Sequence, residues 1–191
     1  MYLFFDTETG GLTTDYSLLT VSAIVTDPQF KIICVHDLKP GLYLRIKYPE
    51  YKTSVRALAI NKINLDDHDA FGFSVAESSE AFEAFLSEAK RAAGVRRFIP
   101  AGHNVRFDID FLQSYLMPPN KWGKYFSVPP FDTCAIAKLF NSAGRIKVGC
   151  GLEKLCVHFK IPLNAAHHAE DDNVATIHLA KKFVNMCHPP A

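Results

Sequence analysis

The chain has 191 residues, 48% of them hydrophobic, and its formal net charge is +1. This length suits one compact domain with a substantial core and is short for two. No apolar run is long enough to span a membrane, and acidic residues so close to Met1 argue against a secretory signal. We therefore expect one soluble, intracellular, cytoplasmic domain over residues 1–187, with no membrane partner and a frayed tail over 188–191.

Cysteine content and charge narrow the function classes only a little. The five cysteines are scattered and contain no C-x-x-C pair, so neither a disulfide framework nor a structural zinc site is indicated. The near-zero net charge lacks the basic excess typical of nucleic-acid-binding proteins. Two bound divalent cations would raise the formal charge from +1 to about +5, so the charge does not decide the question.

The first predicted element is an apolar strand that ends in the acidic pair Asp6 and Glu8. Because side chains alternate along a strand, both carboxylates point to the same side. Two like charges at a strand end are costly unless a cation lies between them, and a divalent metal is the usual solution. The alternative is an acidic strand end before the Gly10-Gly11 turn, and the pair alone does not decide.

An antiparallel meander follows this strand. Residues 18–26 alternate well and predict a second strand, and Asp27-Pro28 is a turn signal. Residues 30–36 regain strand-like character, so we expect the second and third strands to form a hairpin. A further extended piece is expected over residues 42–46.

The middle of the chain predicts helices and a fourth strand. A short helix is expected from about Ser54 to Asn61, and the acidic cluster at residues 66–69 is expected to be a solvated loop. Ser74 and Glu77 form a capping box that starts an amphipathic helix ending at Gly94. Residues 98–102 predict a short strand, with Pro100 at its first residue or at a bulge.

The second acidic stretch lies at residues 102–112, which predict a strand end, a turn and a helix. Asp108 falls in the first helical turn, where the macrodipole alone would favour it. Residues 118–130 predict a loop that carries Trp122 between two lysines. Such a tryptophan suits a nucleic-acid contact, although packing against the protein surface is commoner. Further helices are predicted from residue 131 and over residues 152–159.

The third acidic stretch, residues 167–173, opens the last predicted helix. Acidic residues at a helix start often only compensate the dipole, but a preceding histidine has no such explanation. Carboxylate oxygens are the ligands that hard divalent cations prefer, and a histidine is a proton acceptor suited to neutral pH. Together these groups predict two-metal phosphoryl chemistry. The carboxylates concerned are Asp6, Glu8, Asp108 and Asp172.

These three stretches resemble the motifs of the DnaQ-like (DEDDh) 3′→5′ exonuclease family. FDTETGGL resembles the first motif, HNVRFD the second and HHAEDD the third, in the expected order and across nearly the whole chain. The resemblance implies an α/β, ribonuclease H-like fold. Its central five-stranded mixed sheet has three antiparallel strands followed by two parallel ones, and helices flank the sheet.

The resemblance also implies two divalent metal ions, Mg²⁺ or Mn²⁺. Asp6 and Asp172 would hold the metal of the catalytic water together with Glu8, and Asp108 would share the second metal with Asp6.

The family's spacing selects His167 as general base, with Ala169 and Asp172 following it. His168 and Asp171 are competitors that spacing alone leaves open, since His168 and Asp172 would be one helical turn apart.

The implied partner is the 3′ end of a single-stranded nucleic acid, DNA or RNA. The implied substrate-binding positions are Thr7, Thr9, Gly10, Leu12, Asn104 and Phe107. Phe111 either lines the same pocket or, as we favour, packs in the core. Two departures from the family pattern, Thr20 on the second strand and Pro100, lie outside the metal set.

Several functions share these residues. We favour a DNA exonuclease that releases nucleoside 5′-monophosphates. An RNA-trimming exoribonuclease is the alternative within the family, and a catalytically silent nucleic-acid-binding module is the alternative in another class. A purely structural protein would need three ordered motif matches by chance. The sequence does not decide whether a polymerase or a second copy is a protein partner.

Overall fold

The computed structural model describes residues 1–34, 41–163 and 167–187. Its strands are β1 (Tyr2–Thr9), β2 (Leu18–Thr26), β3 (Gly41–Arg45), β4 (Ile99–Gly102) and β5 (Phe131–Asp132). Its helices are α1 (Val55–Asn61), α2 (Leu65–Phe71), α3 (Val75–Ala93), α4 (Arg106–Tyr115), α5 (Pro119–Tyr125), α6 (Thr133–Ser142), α7 (Leu152–Phe159) and α8 (Ala169–Cys187). Among these helices none has the length and apolar character needed to cross a membrane.

The strands form one mixed sheet in the order β3-β2-β1-β4-β5. β2 pairs antiparallel with both β1 and β3, whereas β4 is parallel to β1 and to β5. The predicted five-stranded α/β fold, with three antiparallel strands and then two parallel ones, is therefore confirmed.

The central strand β1 separates two parts of the core. Leu3 and Phe5 belong to the cluster that includes residues of α3, α4 and α5, whereas Phe4 packs with Ile177 and Ala180 of α8. Because side chains alternate along the strand, Asp6 continues the face that α8 covers. The opposite face, covered by α3 and α4, continues with Thr7.

Asn173 fixes α8 onto the sheet. Its side chain is completely buried, and its amide donates to the backbone oxygen of Phe4 over 3.1 Å and to the Ser22 hydroxyl over 3.0 Å. A buried polar side chain that pairs with two strands fixes the position of its helix on the sheet. The acidic first turn of α8 is thereby held beside β1.

Several local predictions are confirmed. Helix α1 begins after the N-cap Ser54, and α3 has both halves of the predicted capping box, with Gly94 in the left-handed conformation at its end. Pro100 is the second residue of β4 instead of the first. The Ile99 amide donates to the Met1 carbonyl on the β1 side. Pro100 has no N–H, and its nitrogen therefore faces the β5 side of the strand. No bond is lost there, because β5 pairs only with Ala101 and Gly102.

The third strand lies later than predicted. Gly41–Arg45 pairs with β2, whereas in the described part of residues 30–36 only Ile32 forms a bridge, with Thr26. The chain does turn back after Asp27, whose amide donates to the Lys31 carbonyl. Residues 35 and 36 of the predicted strand, and the predicted frayed tail 188–191, lie outside the described residues.

Two predicted loops are helices. The acidic cluster 66–69 lies in α2, which begins after Asn64, and its His68 is only 3% exposed. The segment with Trp122 forms α5, with a proline at its start. Trp122 is 6% exposed, stacks on Phe126 at 4.1 Å and meets the Phe5 ring edge-on. The loop prediction for residues 119–125 is therefore wrong, and the packing of Trp122 agrees with the commoner of the two alternatives given above.

Candidate active site

Three of the predicted metal ligands meet at the carboxyl end of β1. Asp6 and Glu8 lie two residues apart on the strand, and Asp172 lies in the first turn of α8. One carboxylate oxygen from each lies within 4.8 Å of the other two. The alternation of β1 and the anchoring of α8 by Asn173 produce this cluster.

Asp108 joins the site from the other face of the sheet. It lies in the first turn of α4, is 4% exposed, and its Oδ1 accepts two hydrogen bonds from Thr7. The Thr7 amide donates over 2.9 Å and the Thr7 hydroxyl over 2.7 Å. Its charge is near enough to raise the pKa of Asp6. The structure therefore gathers three of the predicted acids within 4.8 Å of one another and holds Asp108 near them through Thr7, the residue between Asp6 and Glu8.

The pKa values of the carboxyls show how closely their charges lie. Burial raises the pKa of Asp6 well above its usual value, and the charges of Asp108, Asp172 and Glu8 raise it further. Burial, followed by the charges of Asp172 and Asp108, raises the pKa of Glu8 to about 8. Burial also raises the pKa of Asp172 to about 6, although its hydrogen bond from the His167 amide opposes the rise. Without a cation, the cluster therefore resists full ionisation near neutral pH.

The donor set fits a divalent cation. Carboxylate oxygens are the preferred ligands of hard ions, and three are already gathered within 4.8 Å. Asp172 Oδ1 is buried and has no hydrogen-bond partner, which is costly for a carboxylate unless a cation or water reaches it. The mutual repulsion of these groups would be relieved by the same cation.

His167 is tied to Asp172 through its backbone. Its amide donates to Asp172 Oδ2 over 3.2 Å, and its φ of 65° lies in the left-handed region. The imidazole is 42% exposed, with Nε2 3.6 Å from Glu153 Oε1. His167, Glu153 and Asp172 line a cavity of about 300 Å³. The ring therefore stands beside the acid cluster with access to solvent.

His168 and Asp171 form a separate pair. His168 Nδ1 lies 3.6 Å from Asp171 Oδ2, and the imidazole stacks on Tyr43 of β3 with ring centroids 5.3 Å apart. The backbone amide of the neighbouring His167 donates to the Asp172 carboxylate, whereas His168 meets Asp172 only through its carbonyl, which accepts from the Asp172 amide over 3.0 Å. This geometry favours the assignment of His167 and Asp172 over that of His168 and Asp171.

The turn after β1 is fixed by close backbone contacts. The Gly10 amide donates to the Ser17 carbonyl, and the Gly10 carbonyl accepts from the Ser54 amide. A Cβ on Gly10 would lie 2.3 Å from the Lys52 carbonyl oxygen, so only glycine fits here. The Thr9 hydroxyl donates to the Gly11 carbonyl. These contacts hold the predicted substrate-binding turn next to Glu8.

Leu12 projects from this turn and is 83% exposed. On one side is a mostly apolar cavity of about 410 Å³, whose lining includes Glu8, Thr9, Leu12, Tyr16, Ala57, Ile60 and Asn61. On the other side is a cavity of about 440 Å³, whose lining includes Leu12, Thr13, Phe107, Asp110 and Phe111. The side chain thus stands between two recesses of nucleotide-sized volume.

The other predicted substrate positions have distinct surroundings. Phe107 is half-buried and packs on Phe111, which is 1% exposed and belongs to the core as favoured above. Asn104 lies in the turn before α4 and is exposed, and its backbone amide donates to the Asp132 carboxylate. Thr7 is 7% exposed, and both of its donors bind Asp108. Its environment therefore suits positioning of a carboxylate more than contact with a substrate.

Sequence reasoning did not identify Asn61 as a site residue. It is 9% exposed at the end of α1, and its amide donates to the Thr9 carbonyl over 3.2 Å. The only signal in the sequence was its place at the end of a short helical segment with apolar residues, of which Val55 and Ile60 are 88% and 44% exposed in the structure. Such exposed apolar side chains often mark a binding surface.

No protein-family model and no curated protein matches this sequence. Solved structures do match. A zinc-bound complex of E. coli exonuclease I with single-stranded DNA has a TM-score of 0.80 and 23% identity, covering 98% of this chain and 41% of that chain. E. coli exonuclease I bound to a dT13 oligonucleotide has a TM-score of 0.75 and 21% identity, covering 95% of this chain and 40% of that chain.

A product-bound structure of exonuclease I also matches, with a TM-score of 0.74 and 20% identity over 97% of this chain and 43% of that chain. The chain therefore spans about two fifths of the length of the structures it matches. The similarity extends over nearly all of the chain described here. The chain thus has the ribonuclease H-like fold of the matched part of exonuclease I.

Proposed function

We propose that this chain is a metal-dependent 3′→5′ exonuclease that removes nucleoside 5′-monophosphates from the 3′ end of single-stranded DNA. The observation that carries the proposal is the meeting of Asp6, Glu8 and Asp172, whose oxygens lie within 4.8 Å of one another. Asp108 lies beside them, and His167 is hydrogen-bonded to one of them. The fold shared with exonuclease I agrees with this assignment.

The carboxylates would hold two divalent cations, Mg²⁺ or Mn²⁺. Asp6, Glu8 and Asp172 would bind the first, and Asp108 would share the second with Asp6. When bound, such a pair lowers the pKa of an attacking water and stabilises the charge that develops on the leaving oxygen. Thr7 would keep Asp108 in place through its two hydrogen bonds.

His167 would act as the general base. Its backbone bond to Asp172 Oδ2 keeps it next to the acid cluster, while its ring, 42% exposed, can pass a proton to solvent. An imidazole is well suited to accept the proton of an attacking water at neutral pH.

The terminal nucleotide would lie at the turn after β1. Thr9 and Gly10 shape this turn through their hydrogen bonds to neighbouring segments, and the apolar cavity beside Leu12 suits a base held by nonspecific contact. Leu12 would separate this base from the next one. The complex of exonuclease I with dT13 supports single-stranded DNA over RNA as the substrate class.

The test compares 5′-labelled single-stranded DNA, duplex DNA and RNA of one sequence, each in Mg²⁺ and in EDTA. We expect stepwise shortening of single-stranded DNA that stops on chelation and is lost in the isosteric variant Asp6→Asn. An active Asp6→Asn protein would exclude the proposed site. Preferential shortening of RNA would assign RNA instead of DNA as the substrate. Binding without any hydrolysis would indicate a catalytically silent nucleic-acid-binding module.

A further inference from the structure

A second, polar cavity adjoins the apolar one. It has a volume of about 180 Å³, and Glu8 and Asn61 line both cavities. The remaining lining of the polar cavity includes Thr20, Arg45, Lys62, Asp67, His68 and His168. A nucleotide whose base occupies the apolar cavity would therefore have its sugar near the shared wall, with the polar cavity beyond it.

The residues around this cavity contain unsatisfied polar atoms. The described chain has seven buried side-chain polar atoms without a hydrogen-bond partner, and four belong to lining residues of this cavity. One of the four, His168 Nδ1, lies 3.6 Å from Asp171 Oδ2, which leaves Thr20 Oγ1 and both ring nitrogens of His68 without any partner in the described residues. His68 and Thr20 are 3% and 2% exposed. Buried polar groups are normally paired, so their concentration here indicates a site that takes up water or a polar ligand.

Two cationic side chains lie at the exposed side of the cavity. Arg45 and Lys62 are both exposed, and neither forms an ion pair with a carboxylate in the described part of the chain. Arg45 rests against the Tyr43 ring, 5.7 Å from its centroid. The cavity also contains the carboxylates of Glu8 and Asp67. With Glu8 engaged as a metal ligand, the remaining charges favour an anion.

We propose that this cavity binds a phosphate group on the 3′ position of the terminal nucleotide, so that the enzyme also degrades strands that end in a 3′-phosphate. The inference rests on the proposed exonuclease activity and extends its substrate class. Arg45 and Lys62 contact the phosphate oxygens as charged donors. Thr20 and His68 lie at the buried side of the cavity, where they pair with the phosphate or with waters that accompany it.

The reaction on such an end is an ordinary phosphodiester hydrolysis. Water attacks the phosphorus between the last two nucleotides, the bond from that phosphorus to the 3′ oxygen of the penultimate nucleotide breaks, and this oxygen takes a proton. The products are a nucleoside 3′,5′-bisphosphate and a strand that now ends in a 3′-hydroxyl. Only the first turnover therefore involves the 3′-phosphate.

The experiment uses two single-stranded DNA oligonucleotides of one sequence, one ending in a 3′-hydroxyl and one in a 3′-phosphate. The initial kcat/KM for each end is measured in Mg²⁺ with wild type, Arg45→Gln and Lys62→Gln. Arg96→Gln serves as the matched control, because Arg96 is exposed and precedes β4, at the opposite end of the sheet from the acids. Direct binding of thymidine 3′,5′-bisphosphate, thymidine 5′-monophosphate and inorganic phosphate is measured by calorimetry in Ca²⁺.

We expect wild type to release the bisphosphate from the 3′-phosphate end. Each cavity variant should lower kcat/KM on that end relative to the 3′-hydroxyl end by about tenfold or more, as expected for loss of a charged hydrogen bond to phosphate. Arg96→Gln should leave the ratio unchanged, and the bisphosphate should bind more tightly than the monophosphate.

Other results separate the two proposals. Loss of hydrolysis on both ends in wild type would contradict the proposed function itself. Normal hydrolysis of the 3′-hydroxyl end with none of the 3′-phosphate end would overturn this inference alone. Equal binding of the two nucleotides, or phosphate binding that Arg45→Gln does not weaken, would also overturn it.

Discussion

Thr7 binds one carboxylate oxygen of Asp108 twice, through its amide over 2.9 Å and its hydroxyl over 2.7 Å. The two residues are 101 positions apart and lie on β1 and α4. Burial raises the pKa of Asp108, and these two bonds lower it. The effect of burial is the larger, so the pKa is raised to about 7. Strand β1, which carries Asp6 and Glu8, therefore also positions Asp108 on the opposite face of the sheet.

Replacing Thr7 by valine tests this positioning role. Thr7→Val keeps the shape of the side chain and the amide bond but removes the hydroxyl. At pH 8, above the Asp108 pKa of about 7, we expect the free energy of unfolding to fall by about 1–3 kcal/mol. Urea unfolding measures this change, and Mn²⁺ titration by electron paramagnetic resonance should show weaker binding. Thr7→Ser is the control and should retain most of both properties, and equal losses in the two variants would contradict the hydroxyl's role.

The raised carboxyl pKa values predict a pH dependence of stability for the metal-free protein. A carboxyl whose pKa is raised on folding binds more protons folded than unfolded, so its contribution to stability falls as pH rises from the unfolded to the folded pKa. For Glu8 this window runs from 4.5 to about 8. His68, His103 and His178, whose pKa values are lowered from 6.5 mainly by desolvation, act oppositely, but mainly below pH 6.5.

We therefore expect the urea midpoint in EDTA to decline between pH 6.5 and 8.5. Glu8→Gln should flatten this decline, because it removes one titrating group and its repulsion of Asp6. Added Mg²⁺ should restore wild-type stability at pH 8.5 through preferential binding to the folded state and should do so less for Glu8→Gln. A decline of the same slope in both proteins would contradict the assignment.

The two adjacent histidines should differ in function. His167→Asn preserves the left-handed backbone at φ 65°, since asparagine tolerates this region. We expect it to lower kcat by about 10²–10⁴, the usual contribution of a general base, while Mn²⁺ still binds. His168→Gln removes the stack on Tyr43 and should cost far less activity. Single-turnover rates with labelled DNA distinguish the two, and a larger loss in His168→Gln would reverse the assignment.

Trp122 should matter for folding more than for nucleic-acid binding. It is 6% exposed and contacts Phe5 and Phe126. Trp122→Ala should therefore lower the free energy of unfolding by about 3–5 kcal/mol, as for other large-to-small core changes, while Trp122→Phe should cost less. Thermal unfolding measures both variants. An unchanged stability combined with weakened DNA binding would support the surface-contact alternative.

The parts of the fold that could be predicted depend on local patterns. Ser74, Glu77 and Gly94 delimit α3 through bonds within a few residues of each other. The alternation that places Asp6 and Glu8 on one side is a property of any strand. Both predictions needed no knowledge of distant residues, and both are confirmed by the structure.

The parts that could not be predicted depend on distant partners. The charged residues of α2 resemble a solvated loop, yet Asp66 and Asp67 suit the first helical turn, and His68 is buried by neighbours elsewhere in the chain. Whether residues 30–36 or 41–45 become the third strand depends on which segment pairs with β2. The bonds from Thr7 to Asp108 exist only because α4 packs against β1.

Leu12 has a consequence for how this protein can change over evolution. A side chain that is 83% exposed contributes little to folding, yet full burial of a leucine is worth about 1.5–3 kcal/mol. That free energy becomes available only when another molecule covers it. Substitutions at this position can therefore alter the affinity for a strand end while the thermodynamic stability of the domain stays the same, so the two properties can be selected independently.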